Sequence, residues 1–190
     1  MEHILSVAAK LFADRGYDAT SMREIAEGAG VAKPTIYYYF QSKEGLLARL
    51  LEEGFGSLKR EIEAINLRGD DADPYQCLVD TVWVFFDFAT KHQDLIRFIH
   101  ALAFGPPSQP ASRAIDRSFH ESMDAFQRVL ARVAAAGVLR TDNLEQAGVA
   151  LRGTTTTYIV QYLKGWSVLT RDLAQQIVDG FLSGYGSGRK

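Results

Sequence analysis

Apolar residues recur at three-and-four spacing along every long proline-free tract of this chain, a rhythm that suits packed helices and leaves little room for sheet. Ile4, Ala8, Leu11 and Phe12 show it first, and Leu47, Leu51, Phe55, Leu58, Ile62 and Ile65 carry it furthest. No sustained two-residue alternation appears. The prolines agree: Pro34 and Pro74 follow residues able to cap a helix, while Pro106, Pro107 and Pro110 share one loop. The chain is therefore expected to be all-α. A first helix runs to about Arg15 and stops at Gly16, and two short helices flank Gly28-Ala29-Gly30. A long helix over residues 43–66 follows, and then helices over 74–90 and 93–104. Beyond the proline loop come one ending near Ala136, one opened by an Asp142-Asn143 cap and ending near Lys164, and one over 171–185. Ser21-Met22-Arg23-Glu24 has the spacing of a capping box. The expected organisation is a head over residues 1–50 and a helical body over 51–190, with a break at residues 68–73 inside the body.

Composition narrows the function. At 47% hydrophobic and 23% charged, the 190 residues have the balance of a globular chain rather than a disordered one. The longest apolar run, around Val82 to Ala89, is broken by Asp87, so no membrane span is expected. Met1-Glu2-His3 leads directly into the first amphipathic pattern without the marks of a secretory signal. The single cysteine, Cys77, cannot close an internal disulfide or supply a cysteine-based metal site. A cytoplasmic location is the expectation. A net charge of -2 does not describe a chain that coats polyanions, so any nucleic-acid argument rests on where the charges sit.

The most specific pattern is the stretch from Thr20 to Lys43, TSMREIAEGAGVAKPTIYYYFQSK. A helix-turn-helix requires a small residue where its helices touch, a glycine in the turn that tolerates positive φ, and a branched apolar residue on the second helix facing back. Ala26, Gly30 and Ile36 stand at those relative positions, with Ile25, Val31 and Phe40 available to the same core. Ile36 and Phe40 set the inward stripe of the second helix. At about 100° per residue, Pro34, Thr35 and Tyr38 then point away, and Tyr37 and Tyr39 lie on the flanks. Hydroxyl-bearing rings beside Lys33 and Lys43 suit a phosphate-lined groove, because they donate hydrogen bonds and offer apolar edges to thymine methyls. For Tyr37 or Tyr39 singly, packing against the first helix is the alternative. Thr35 lies in the first turn, where free N–H groups favour a phosphate. Arg23 is able to grip guanine bidentately and equally able to pair with Glu27 one turn on.

Together these residues resemble the tetracycline-repressor-like (TetR) family of bacterial regulators. The match runs through Ile4-Leu5, Ala8-Ala9, Leu11-Phe12, Gly16, Thr20-Ser21, Ile25-Ala26, Ala29-Gly30-Val31, Lys33-Pro34-Thr35-Ile36-Tyr37, Tyr39-Phe40, Lys43 and Leu46-Leu47. The resemblance implies a dimer whose three-helix heads each lay their second motif helix in the DNA major groove, on a near-palindromic operator, while the body binds a small-molecule effector. Carried over by position, Arg23, Lys33, Pro34, Tyr37 and Tyr38 face the groove, and Thr20, Ser21, Thr35, Tyr39 and Lys43 contact phosphates. Two departures stand out. Ala32 replaces the serine common in relatives, removing a cap worth about 0.5 to 2 kcal/mol. Met1-Glu2-His3 also carries no lysine or arginine where relatives often do. Over residues 1–51, six basic side chains (Lys10, Arg15, Arg23, Lys33, Lys43, Arg49) meet six acidic ones (Glu2, Asp14, Asp18, Glu24, Glu27, Glu44), so the head is neutral.

In the body the resemblance covers only layout and length. The segment carrying Trp83 and Phe86 is apolar nearly all round and demands burial on several sides. Phe98, Phe119, Met123 and Tyr162 supply further apolar surface, interspersed with the polar groups of His100, His120, Thr155 and Tyr158. An ordinary core is one explanation for each residue separately. An apolar cavity with a few fixed polar groups, holding a hydrophobic aromatic or acyl-like effector, is the expectation for the set. Stripes on the last two helices exceed what a monomer covers, which points to a two-fold four-helix dimer interface. Histidines and carboxylates are too scattered for a metal site, and no cofactor is expected. An enzyme is disfavoured: there is no nucleophile with a base, no Gly-rich phosphate loop and no paired carboxylates on an apolar face. The other rival is a relative that has lost DNA reading and binds a ligand or protein.

Overall fold

The computed structural model describes residues 1–69, 71–104, 109–139 and 144–185. Nine helices lie among the described residues: α1 (Glu2–Arg15), α2 (Met22–Gly28), α3 (Lys33–Phe40), α4 (Lys43–Asn66), α5 (Pro74–Lys91), α6 (Gln93–Phe104), α7 (Gln109–Ala135), α8 (Leu144–Leu163) and α9 (Arg171–Tyr185). The all-α expectation holds, and the helix ends fall within a residue or two of the positions read from periodicity and stop signals. Asp142 and Asn143, the expected cap of α8, lie outside the described residues. No helix among the described residues is long and apolar enough to cross a membrane.

The chain divides into two compact units, one formed by Met1–Gly56 with His92–His120 and the other by Ser57–Lys91 with Glu121–Lys190. In the first, α1 buries Ile4, Leu5, Ala8, Ala9 and Phe12 and ends where Gly16, at φ 84°, turns its N–H back to the Phe12 carbonyl. α6 packs along α1 in this unit: the Phe98 and Phe12 rings lie 5.2 Å apart, and Arg97 reaches Asp14 at 3.4 Å. A division of the chain by sequence order at residue 50 would not anticipate this return of α6 to α1.

In the second unit, α5 is buried along most of its length, including Leu78, Val82, Phe86 and Phe88, as its all-round apolar sequence requires. It packs against α8 and α9. The end of α4 is tied to α7 by polar groups. Arg132 donates to the carbonyls of Ile65 and Asn66, each at 3.0 Å, and of Gly69 at 3.1 Å, satisfying acceptors that a helix end leaves open. Asn66 donates to the Ala125 carbonyl at 3.0 Å, and Arg128 pairs with Glu63.

Asp80 is the buried hub of this unit, accepting from Arg68, Arg171 and, at 3.1 Å, the Gln76 amide. Burial pushes its carboxyl upward, yet the bonds from Arg68, Gln76 and Arg171 outweigh that and hold it below the ordinary carboxylate value. The ionised hub therefore adds stability above the unfolded carboxylate range, and that stability disappears as pH falls through the lower folded value. In urea titrations, Asp80→Asn should be less stable than the wild type at pH 7, and the gap should begin to narrow only as pH falls below about 4, the ordinary carboxylate range. A difference independent of pH would mean that Asp80 is not ionised in the fold.

Candidate DNA-reading face

The face is built from the turn between α1 and α2 outward. Ser21 caps α2 by accepting from the Glu24 N–H at 3.2 Å, while the Glu24 carboxylate accepts from the Ser21 N–H at 2.8 Å. This is the capping box expected from the spacing. The Ser21 hydroxyl and N–H, with help from Arg15, hold the Glu24 carboxyl below its usual range. Arg15 and Glu24 are 3.0 Å apart, so both charges are engaged with each other. Gly30 takes φ 64° in the turn before α3, a conformation that disfavours residues with a β-carbon.

α3 is fixed by Ile36, with no exposed surface, and Phe40, at 5%. The three tyrosines then emerge as helix geometry requires: Tyr38 is 81% exposed, Tyr39 52% and Tyr37 41%. The Tyr38 and Tyr39 rings meet edge to face at 5.3 Å, and the Lys33 ammonium lies 5.8 Å from the Tyr37 ring centre. Lys33 and Pro34 are exposed and Thr35 is half-buried. The alternative in which Tyr37 or Tyr39 is sealed against the first helix does not occur.

The start of α3 offers less to an anion than expected. Ala32 occupies the cap position and makes no side-chain bond, Pro34 has no N–H, and the Thr35 N–H donates to the Ala32 carbonyl at 2.9 Å. Thr20 and Lys43 are also placed differently from the phosphate contacts expected of them. The Thr20 side chain is buried, with its hydroxyl donating to the Gly16 carbonyl at 2.8 Å. Lys43 turns inward, donating to the carbonyls of Tyr17 at 2.9 Å and Thr20 at 3.0 Å while its ammonium lies 4.3 Å from the Tyr17 ring centre. Three polar or π partners at those distances outcompete a solvent-facing pose. Both side chains hold the α1–α2 loop rather than presenting themselves to a ligand. Arg23 makes the pair with Glu27 that its spacing allows, donating from Nε at 2.7 Å on the exposed side of α2.

Sequence reasoning missed the corner joining α3 to α4. Gln41 closes α3 at φ 61°, unusual for a residue with a side chain, and its N–H returns to the Tyr37 carbonyl. Ser42 accepts from the Gly45 N–H at 3.0 Å. A β-carbon on Gly45 would lie 2.3 Å from the Phe40 carbonyl oxygen, so the first turn of α4 abuts the last carbonyls of α3. Gln-Ser-Lys-Glu-Gly is a cap sequence in itself, but only the three-dimensional approach reveals why its last position is glycine.

The ten residues expected around an effector fall into both compact units. Phe98, His100, Phe119 and His120 belong to the first. There Phe98 is occupied against Phe12, and Phe119 meets Phe55 edge to face at 6.1 Å. Burial pushes the His100 imidazole below its ordinary value. Trp83, Phe86, Met123, Thr155, Tyr158 and Tyr162 belong to the second unit. Phe86 and Met123 are buried, while Trp83 and Tyr162 are half-buried. The Thr155 hydroxyl is taken by the Leu151 carbonyl of its own helix at 2.8 Å. Tyr158 lines a depression of about 370 Å³ between α8 and α9, open to the surface and bordered also by Thr154, Ile177, Gly180 and Phe181.

An exposed, aromatic second helix braced by a glycine turn and a capped first helix defines a helix-turn-helix DNA-binding protein. Residues 4–50 match the family of bacterial regulatory proteins called the tetR family. Over 97% of its length the chain is 29% identical to the HTH-type transcriptional repressor KstR2 of Rhodococcus jostii, covering 90% of that protein. Its fold superposes with a TM-score of 0.83 on a Clostridium perfringens protein described as a putative fatty acid metabolism regulator, at 20% identity, covering 96% of this chain and 97% of the other. It superposes with a TM-score of 0.75 on the ketosteroid transcriptional regulator KstR2 of Mycobacterium tuberculosis, at 23% identity, covering 98% and 94%. The match over residues 4–50, together with similarity to an HTH-type repressor over nearly the whole length, supports the tetR family of bacterial regulatory proteins.

The α3–α4 corner yields a stability test. Gly45→Ala should lower the unfolding free energy by on the order of 2–3 kcal/mol, read by urea titration, because the methyl meets backbone that cannot step aside. An unchanged midpoint would show that the corner has room.

Proposed function

We propose that this protein is a repressor that binds a near-palindromic operator as a dimer and releases it when a hydrophobic small molecule enters the body. The observation that carries the DNA-binding part is the exposure of Tyr37, Tyr38 and Tyr39 beside Lys33, opposite a fully buried Ile36. Tyr38 and Pro34 are assigned to base edges and methyls, with Lys33 and Arg23 as the cations of the face. Tyr39 and Thr35 are assigned to phosphates through their hydroxyls, whereas both donors of Ser21, first expected at a phosphate, are given to Glu24. Thr20 and Lys43 act indirectly, by holding the loop that carries Ser21. The head, residues 1–50, reads DNA, and the body, residues 51–190, binds effector and partner. The sense of control follows the relative named a repressor. A cytoplasmic location accords with a regulator that meets the chromosome.

For the effector, the supporting feature is the presence of Trp83, Phe86 and Met123 in the second unit, aromatic and thioether groups whose chemistry favours an aromatic or acyl group. Ligand binding can release DNA only through a difference in effector affinity between the two states, and a coupling of about 1–3 kcal/mol changes operator affinity about 5 to 150-fold.

Selection from a randomised duplex library tests the DNA reading. The dimer should enrich a two-fold symmetric sequence with half-sites about one helical turn apart. Enrichment of no sequence would overturn the proposal in favour of a dimer that no longer reads DNA. On the selected duplex, Lys33→Ala and Tyr38→Ala should each weaken binding about tenfold. Their melting temperatures should stay at the wild-type value, because both side chains are exposed; an equal loss of stability would place them in the core. The slope of log affinity against log salt should be shallow, since the head is neutral and Lys43 is turned inward.

A further inference from the structure

Resting on that DNA reading, we infer that Glu27 is a positioning residue for sequence recognition: its carboxylate holds Arg23 by the Nε edge and presents the guanidinium end-on to a guanine. Glu27 accepts from Arg23 Nε at 2.7 Å, and the two side chains are 61% and 76% exposed. An exposed pair at i and i+4 contributes little to helix stability, so its value to the fold is small. Its geometry carries more information than its energy. A guanidinium has a side edge that includes Nε and an end edge formed by its two terminal nitrogens, and an anion on the side edge leaves the end edge directed outward. The two terminal nitrogens have the fork spacing that guanine O6 and N7 accept. Arginine carries large rotamer freedom, and a contact that fixes it before binding reduces the ordering required on the DNA.

The neighbouring charges leave this role to Glu27. Glu24 is occupied by Ser21 and Arg15, and Arg15 is in turn occupied by Glu24. Lys33 lies over the Tyr37 ring, and the Lys43 ammonium faces backbone carbonyls. A carboxylate on a face that meets phosphates repels them, so a Glu27 without a positioning role would only weaken binding to every sequence. The two cases differ in what happens when the carboxylate is removed. A positioning carboxylate takes discrimination at one base pair with it, whereas a merely repulsive one leaves discrimination intact and tightens binding to all duplexes.

The full-length dimer and its library-selected duplex decide between them. Each G·C pair of the half-site is replaced in turn, and the affinity ratio is measured for the wild type, Arg23→Ala, Glu27→Ala, Glu27→Gln and the Arg23→Ala/Glu27→Ala pair. Arg23→Ala should identify one position where discrimination collapses. Glu27→Ala should lose about fivefold or more at that same position and nothing elsewhere, and should add no further loss when Arg23 is already alanine. Glu27→Gln, which keeps an acceptor without the charge, should retain part of the ratio. Glu27→Ala with wild-type discrimination, or a uniform gain across all duplexes, overturns the inference while leaving the DNA reading standing. A wild-type dimer that selects no sequence overturns both.

Discussion

The burial of Ile36 and Phe40 locks one side of α3 into the head, and the outward properties of that helix follow from the lock. With 3.6 residues per turn, two inward anchors four residues apart leave Tyr38 facing away from the protein and Tyr37 and Tyr39 at the flanks. Two buried side chains thus determine which aromatic groups face outward. The capping box at Ser21 and the left-handed Gly30 serve the same end, since they set where α2 starts and at what angle α3 begins.

Electrostatics in the head are economical rather than abundant. One cation supports a loop from inside, one lies over an aromatic ring, and one is held by a carboxylate a turn away. The exposed side of α3 therefore offers shape and a few directed groups more than a broad positive field. This accords with a neutral head and a slightly acidic chain. Polar clamping is heavier in the second unit. There Arg132 closes the carbonyl end of α4, and Asp80 gathers donors from Arg68, Gln76 and Arg171.

Helices and the outward phase of α3 were legible because both depend on period and phase, which are local properties of the chain. Lys43 shows the limit of that logic. Helix phase places its β-carbon, but four rotatable bonds beyond it let the ammonium swing inward to carbonyls 23 to 26 residues earlier. Thr20 lies beside a recognisable cap, yet only the folded loop reveals that its hydroxyl is sealed against the Gly16 carbonyl. Asp80 reads as a polar interruption in an apolar helix, and its guanidinium partners are 12 and 91 residues away. The effector set was the least legible part. Aromatic richness predicts burial but not against which neighbour, and Phe98 is satisfied by Phe12 of the first helix.

The two ends of α3 are supported unequally. Its carboxyl end is gripped by the Gln41–Ser42 corner and the close approach of Gly45, whereas its amino end begins at an alanine cap without a side-chain acceptor. Ile36 and Phe40 anchor its inner side, and only the amino end lacks a side-chain cap. On the proposed DNA reading, base pairs opposite Lys33 and Pro34 would meet the end of the helix that no side-chain cap holds, and those opposite Tyr38 and Tyr39 the end that the corner braces.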